Sequence, residues 1–158
     1  MKTTILFLAY IALGIYLVAN YYYHEIYPLD RDVIAHINFA KTVNDAEVLY
    51  QELSKAYKGL EKYSGNPNWA FPTIETDFDY IKSMIAKQIN ATKEFIGANP
   101  NDYGYQRFLK NAYYALEEIE DKLGMAKDWL WYRPRNILFA ILYIFVGFPA
   151  IIVLSDKL

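Results

Sequence analysis

The residues best suited to metal or proton chemistry are two histidines, His24 and His36, with Glu25, Asp30 and Asp32 close by in the chain. Imidazoles and carboxylates hold zinc or iron when their spacing places them on one helix face, as two His at i and i+4 or as Glu-x-x-His. Neither pattern occurs, and Pro28 stands between the two histidines. A metal-binding subunit using His24 and His36 is therefore the last of three readings, and no metal or other cofactor is expected. Glu117, Glu118, Glu120 and Asp121 form a denser acidic group, but they flank the apolar Leu116 and Ile119, which reads as a solvated face. Asp77 and Asp79 fall in the first turn of a helix, where negative charge is favourable in any case. There is no glycine-rich phosphate loop, no Ser-His-Asp set and no haem-attachment motif. The chain has no cysteine, so thiolate ligands, disulfides and cysteine nucleophiles are excluded. No catalytic residue emerges, and the chain is not expected to be an enzyme on its own.

Charge narrows the partners. Lys and Arg total 16 against 18 Asp and Glu, a net charge of −2, which offers no basic excess for phosphates. Nucleic acid is not an expected partner. Sixteen tyrosines are the unusual count. Most stand at helical spacing, as core-edge residues do. Phe108 and Tyr114 fall off the apolar stripe of their helix, and Trp69 and Phe71 sit in a proline-bounded loop, so these four are candidate partner contacts. Trp69 and Phe71 are expected to plug the end of the helical region. Gln88 and Thr92 lie near an inner stripe and would line a small ligand pocket. Asn90-Ala-Thr92 matches the N-glycosylation acceptor pattern, which has meaning only outside the cytoplasm.

The elements that position these residues are helices. Tyr105, Leu109, Ala112, Leu116, Ile119, Leu123, Ala126 and Leu130 recur at steps of four and three, the rhythm of a stripe that faces partner helices. This helix is expected to run without a stop, through a collar of Trp129, Trp131, Tyr132, Arg133 and Arg135, into an uncharged stretch from Ile137 to Leu154. That stretch has roughly 18 residues against the ~20 that cross a bilayer. Thr3 to Tyr23 is a second uncharged stretch. It reads as a retained anchor rather than a cleaved signal, because Leu17 stands where a small residue would precede Ala19. Tyr21, Tyr22, Tyr23 and Tyr27 form its own collar, as amphipathic rings do where bilayer meets water. Both collars mark one membrane face. The positive groups at the amino terminus place that end inside, so both termini are expected in the cytoplasm and the middle outside. Gly14 and Gly147 offer small surfaces for close packing within the apolar stretches.

Between the anchors, Pro28 is expected to end the first span and Asp30 to cap a fresh helix reaching about residue 42, with Leu29 packed on Ile34. Asn44 and Glu47 resemble a capping box for a second helix with Ala46, Leu49, Leu53, Ala56, Leu60 and Tyr63 inside. Ile74, Phe78, Ile81, Ile85, Ile89 and Ile96 mark a third, from about 73 to 97, and Asn99-Pro100 a cap for the last. Two anchors returning to one face require an even number of helices between them. The predicted fold is thus all-α: two transmembrane helices flanking an antiparallel up-and-down bundle of four helices of uneven length, with three as the alternative. The parts are an anchor and collar at 1–27, the extracytoplasmic bundle at 28–132, and a second span with a short tail at 133–158.

In architecture alone, span, bundle and span, the chain resembles the sensing portion of bacterial chemoreceptors. That resemblance implies a ligand-sensing bundle, and with only Ser155-Asp-Lys-Leu158 beyond the second span, its signal would need a separate partner. The reading preferred on the residues is a non-catalytic accessory or scaffold subunit of a multi-subunit membrane complex in the cell membrane, for example a respiratory oxidase or membrane monooxygenase. Its expected partners are the lipid bilayer, other membrane-protein subunits and further copies of itself as a homo-oligomer.

Overall fold

The computed structural model describes residues 2–156, which are mostly helical with no strand among them. Met1, and Lys157 and Leu158 of the expected tail, lie outside the described residues. Two of the helical stretches, Thr4–Ala40 and Tyr103–Leu154, are long and apolar enough to cross a membrane.

The first helix, α1 (residues 2–40), contains Pro28 without breaking there, contrary to the expectation from sequence. A π-helical turn, Tyr22–Ile26, precedes the proline, with the Tyr27 amide donating to the Tyr22 carbonyl five residues back. The wider turn takes up the proline's missing donor and ring bulk, so the backbone keeps helical angles on both sides. Tertiary burial holds it there: Ile26, Leu29, Val33, Ile37 and Ala40 continue one stripe straight through the proline. Leu29 is wholly buried, and Asp30, expected as a cap, instead takes the Lys127 ammonium at 2.9 Å. The same device recurs near the other end of the chain. In α5 (residues 134–156) a π turn, Tyr143–Gly147, precedes Pro149 by the same offset, and the Phe148 amide donates to the Tyr143 carbonyl.

Three further helices lie between. They are α2 (Ala46–Gly59, continued by a 3-10 turn Leu60–Lys62), α3 (Phe78–Lys93) and α4 (Tyr103–Trp131). Each starts on an aspartate: Asp45 accepts from the Glu47 and Val48 amides, Asp77 from Asp79 and Tyr80, and Asp102 from Gly104. Asn44 and Asn99 are therefore not the caps. The Asn44 carbonyl accepts from the Tyr105 hydroxyl at 2.9 Å, and that hydroxyl accepts from the Ala46 amide, tying the start of α2 to α4. Asn99 closes the turn before α4, where its side chain accepts from the Asn101 amide.

Consecutive helices pack on one another, and α4 returns to α1, so that residues of all four share one core. The predicted α2 stripe is buried throughout, from Ala46 to Leu60 and on to Tyr63. On α4 the buried stripe is the predicted one with a single exchange: Phe108 is inside, and Leu109 is at its edge. Phe95, beyond the end of α3, lies flat on the Phe108 ring at 4.3 Å. Phe108, expected off the apolar stripe, thus lies in the core. On α3 the stripe is shorter than expected, because the helix spans only 78–93 and leaves Ile74 and Ile96 exposed beyond its ends.

The apolar arms of α1 and α5 also pack together. Tyr10 and Tyr143 stack at 4.2 Å, each hydroxyl donating to the other residue's carbonyl. Tyr143 lies over Gly14 and Tyr10 over Gly147, so the small residues are filled by this chain's own rings.

Where α1 crosses α2, Gly59 faces the backbone of Asp32, and a β-carbon there would meet the Val33 side chain at 2.9 Å and the Asp32 carbonyl group closer still. Gly124, inside α4, has open space. Gly59→Ala should therefore destabilise by about 1–3 kcal/mol through overpacking. Gly124→Ala should stabilise by about 0.5–1 kcal/mol through restricted unfolded chain and better helix propensity. Thermal unfolding in detergent checks the pair, and equal shifts for the two would contradict this account of the crossing.

Candidate functional site

The side chains that most tightly join distant parts of the chain meet where α4 gives way to α5. Pro134 has no amide hydrogen, so the Leu130 carbonyl, four residues earlier, loses its helical donor. The residue before the proline, Arg133, turns extended (ψ 142°), which ends α4 one step before α5 begins. The helix expected to run on unbroken is thus interrupted here. The Leu130 carbonyl keeps only a long bond from the Arg133 amide, at 3.4 Å, and accepts in addition from the Tyr21 hydroxyl of α1 at 2.5 Å and from the Asn136 side chain at 3.2 Å. The Tyr132 carbonyl, also past the last helical bond, accepts from the Trp69 indole at 2.6 Å. A proline in one helix is in this way answered by an aromatic donor from α1 and another from the 64–77 loop.

Charge closes the same junction. Glu25 of α1 lies 3.5 Å from Arg133 and 3.4 Å from Arg135, one carboxylate between two guanidiniums. Its backbone carbonyl accepts from the Tyr63 hydroxyl at 2.8 Å. Burial, with Glu25 and Asp32 nearby, pushes the Tyr63 phenol far above its usual range, so it stays a donor at any physiological pH. Further from the junction, Asp30 pairs with Lys127, and Arg31 grips Asp32 with two bonds of 2.6 and 3.0 Å, holding its carboxyl below the usual range.

The collar residues come together. Tyr21 packs on Trp131 at 5.2 Å and Trp129 on Tyr132 at 5.7 Å, while Tyr22, Tyr23 and Tyr27 cluster edge to face with Arg31 over the Tyr27 ring. Tyr114 is exposed beside Tyr113. Trp69 stands half in solvent and Phe71 is 75 % exposed, so neither plugs the end of the core. The two histidines are not brought together: they lie twelve residues apart on one continuous helix, about 18 Å at 1.5 Å per residue. His24 is exposed, and His36 contacts Glu52 at 2.6 Å. No group of three His, Cys, Asp or Glu placed to hold a metal occurs among the described residues. Thr92 is buried, but its hydroxyl donates back to the Gln88 carbonyl at 2.7 Å and is spent inside its own helix.

Lys122, buried between Glu75 and Glu118, was not singled out from sequence, and Glu25 and Tyr63 were named there only beside the histidines and in the α2 stripe, not as partners at this junction. The signal for the junction was present all the same: a proline four residues beyond Leu130 announces a carbonyl without its usual helical donor. No family model, curated protein or solved structure matches this chain.

His36 and Glu52 allow a test of the α1–α2 pairing. Burial works to raise the Glu52 carboxyl, but the Lys55 and His36 bonds outweigh it and hold it below the ordinary range. A carboxylate lowered on folding stabilises fully above its unfolded value, about 4.3, and loses that contribution as pH falls through the lower native value. Glu52→Gln should cost about 1–3 kcal/mol at pH 7, and the gap to the parent protein should close below about pH 4. Unfolding midpoints by circular dichroism at several pH values measure it; a gap unchanged in acid would disprove the pairing.

Proposed function

We propose that this chain is a two-pass membrane protein whose α1 and α5 arms span the bilayer and whose packed helices form an up-and-down four-helix bundle at the outer face. In this reading it serves as a non-catalytic accessory or scaffold subunit of a larger membrane complex. The observation that carries the reading is the pair of apolar arms lying side by side, with the aromatic and basic residues of both collars gathered at one level where the arms meet the core. Large side chains such as Ile15, Val18, Phe145 and Val146 point outward from the arms, and water is a poor solvent for so many of them. Lipid or partner helices suit them. Beyond the collar, Phe39, Tyr113 and Tyr114 are exposed on α1 and α4, the residue types that protein interfaces favour. Lys2, ahead of the first apolar arm, supports the inside placement of that end.

Purification in mild detergent from the native membrane, followed by native mass measurement, is expected to give a stoichiometric complex with larger subunits. Tyr114→Ala combined with Phe39→Ala should weaken that complex at least tenfold without lowering the unfolding midpoint of the isolated chain. A solitary chain in the native membrane would remove the accessory role. Separately, a protease that cuts the exposed 94–102 turn only in inverted vesicles would reverse the orientation.

A further inference from the structure

The loop between α2 and α3 contains Trp69-Ala-Phe-Pro72, four consecutive apolar residues, all exposed. Isolated exposed apolar residues need no explanation, but a rigid run of them does. This run is held outward by a built scaffold. Nearly buried Asn68 accepts from the Phe71 amide at 3.0 Å. Asn66 accepts from the Asn68 amide and the Thr76 hydroxyl and donates to the Thr73 carbonyl. The Trp69 indole is fixed to the Tyr132 carbonyl, at the boundary between α4 and the apolar arm. The run is therefore presented at the level of the collar, beside the arms rather than at the far end of the core.

Beside it is a cavity of about 330 Å³ lined by Ser64, Asn66, Trp69, Arg133 and Arg135 among others. Its two guanidiniums share the single carboxylate of Glu25, leaving positive charge in excess. An aromatic and proline surface next to two arginines that one carboxylate only half neutralises is the combination that lipid headgroups accept, with rings among the glycerol and upper acyl carbons and guanidiniums against phosphodiesters.

We propose that Trp69–Pro72 is a third membrane foothold, seated in the phospholipid headgroup layer beside the two arms. It rests on the two-pass reading above, and it makes the bundle tripod-like: α1, α5 and the 69–72 loop all meet lipid, which fixes the tilt of the bundle on the membrane. Trp69 then serves two surfaces at once, its indole nitrogen bound to the Tyr132 carbonyl and its ring edge toward lipid.

The absence of cysteine makes the test direct. Single-cysteine variants of the full chain, Ala70→Cys, Val146→Cys and Lys87→Cys, carry a nitroxide and are reconstituted in phosphatidylcholine vesicles. Collision with oxygen, which concentrates in lipid, is compared with collision with a water-soluble nickel chelate. Val146 should show strong oxygen and little nickel access, Lys87 the reverse, and Ala70 an intermediate ratio at least threefold above that of Lys87. If Val146 lacks the lipid signature, the two-pass reading fails. If Val146 has it and Ala70 matches Lys87, the foothold alone is overturned. Ala70 shielded from both agents would assign the loop to protein contact, a second copy or a partner, and would equally overturn it. The double variant Trp69→Ser, Phe71→Ser on the Ala70→Cys background should move the ratio to that of Lys87 while leaving Val146 unchanged.

Discussion

A helical backbone that meets a proline must satisfy a carbonyl by some other means, and the architecture depends on how this chain does so. At Pro134 the cost falls on Leu130, whose carbonyl is left with a 3.4 Å bond from the Arg133 amide, and the shortest of the donors that make up the loss, the Tyr21 hydroxyl, comes from 109 residues away. Such a carbonyl left unpaired in an apolar setting costs as much as a lost hydrogen bond or more. The bond therefore pins the end of the first apolar arm to the end of α4. Glu25 with Arg133 and Arg135, and Tyr63 with the Glu25 carbonyl, reinforce the same point from neighbouring positions. With the junction fixed, the two arms leave the core side by side, and the Tyr10–Tyr143 clasp keeps them so further along.

Pro28 and Pro149 solve the same problem differently. Each follows a π turn by two residues, and the extra residue in that turn relieves the ring and its missing donor locally. No distant group is needed, and the helix continues. The three prolines thus divide into two that a helix absorbs and one that it does not. The difference lies in what precedes them: at 134 no π turn comes before the proline and the preceding residue is extended, and Arg133 and Arg135 face Glu25. The joint at α1 is a continuous rod, and the joint at α5 is a break braced by side chains.

Seen this way, the parts of the fold that periodicity encodes were legible and the parts that proline context encodes were not. The stripes of α2 and α4 were readable residue by residue, since burial of one helix face is what the three-four rhythm reports. Phe108 was misplaced because a step of three or of four from Tyr105 keeps to the same face of the helix, reaching Phe108 or Leu109, and the Phe95 ring over Phe108 decides between them. The break expected at Pro28 and the continuity expected at Pro134 were reversed in the structure. A proline rule knows the missing donor but not the π turn upstream or the tyrosine waiting across the junction. The caps were found to within a few residues, and the choice among neighbouring Asn and Asp fell to tertiary demand. At α2 the Asp45 carboxylate takes the Glu47 and Val48 amides, while Asn44 gives its backbone carbonyl to Tyr105.

The collar residues were named from composition, but their gathering required the junction. Tyr21 and Trp131 are a ring contact because the Leu130 carbonyl draws the Tyr21 hydroxyl in, and Trp69 reaches Tyr132 because the same break frees the next available carbonyl. The aromatic belt and the helix break are therefore one feature. Removing the proline's demand would return Leu130 and Tyr132 to ordinary helical partners, and Tyr21 and Trp69 would then have no polar anchor at that level. An aromatic ring with its polar tip tied to backbone and its apolar body outward suits a boundary between water and oil. The backbone defect at residues 132–134 thus supplies the anchors that orient the rings, and the rings in turn define the level at which the packed helices end and the apolar arms begin.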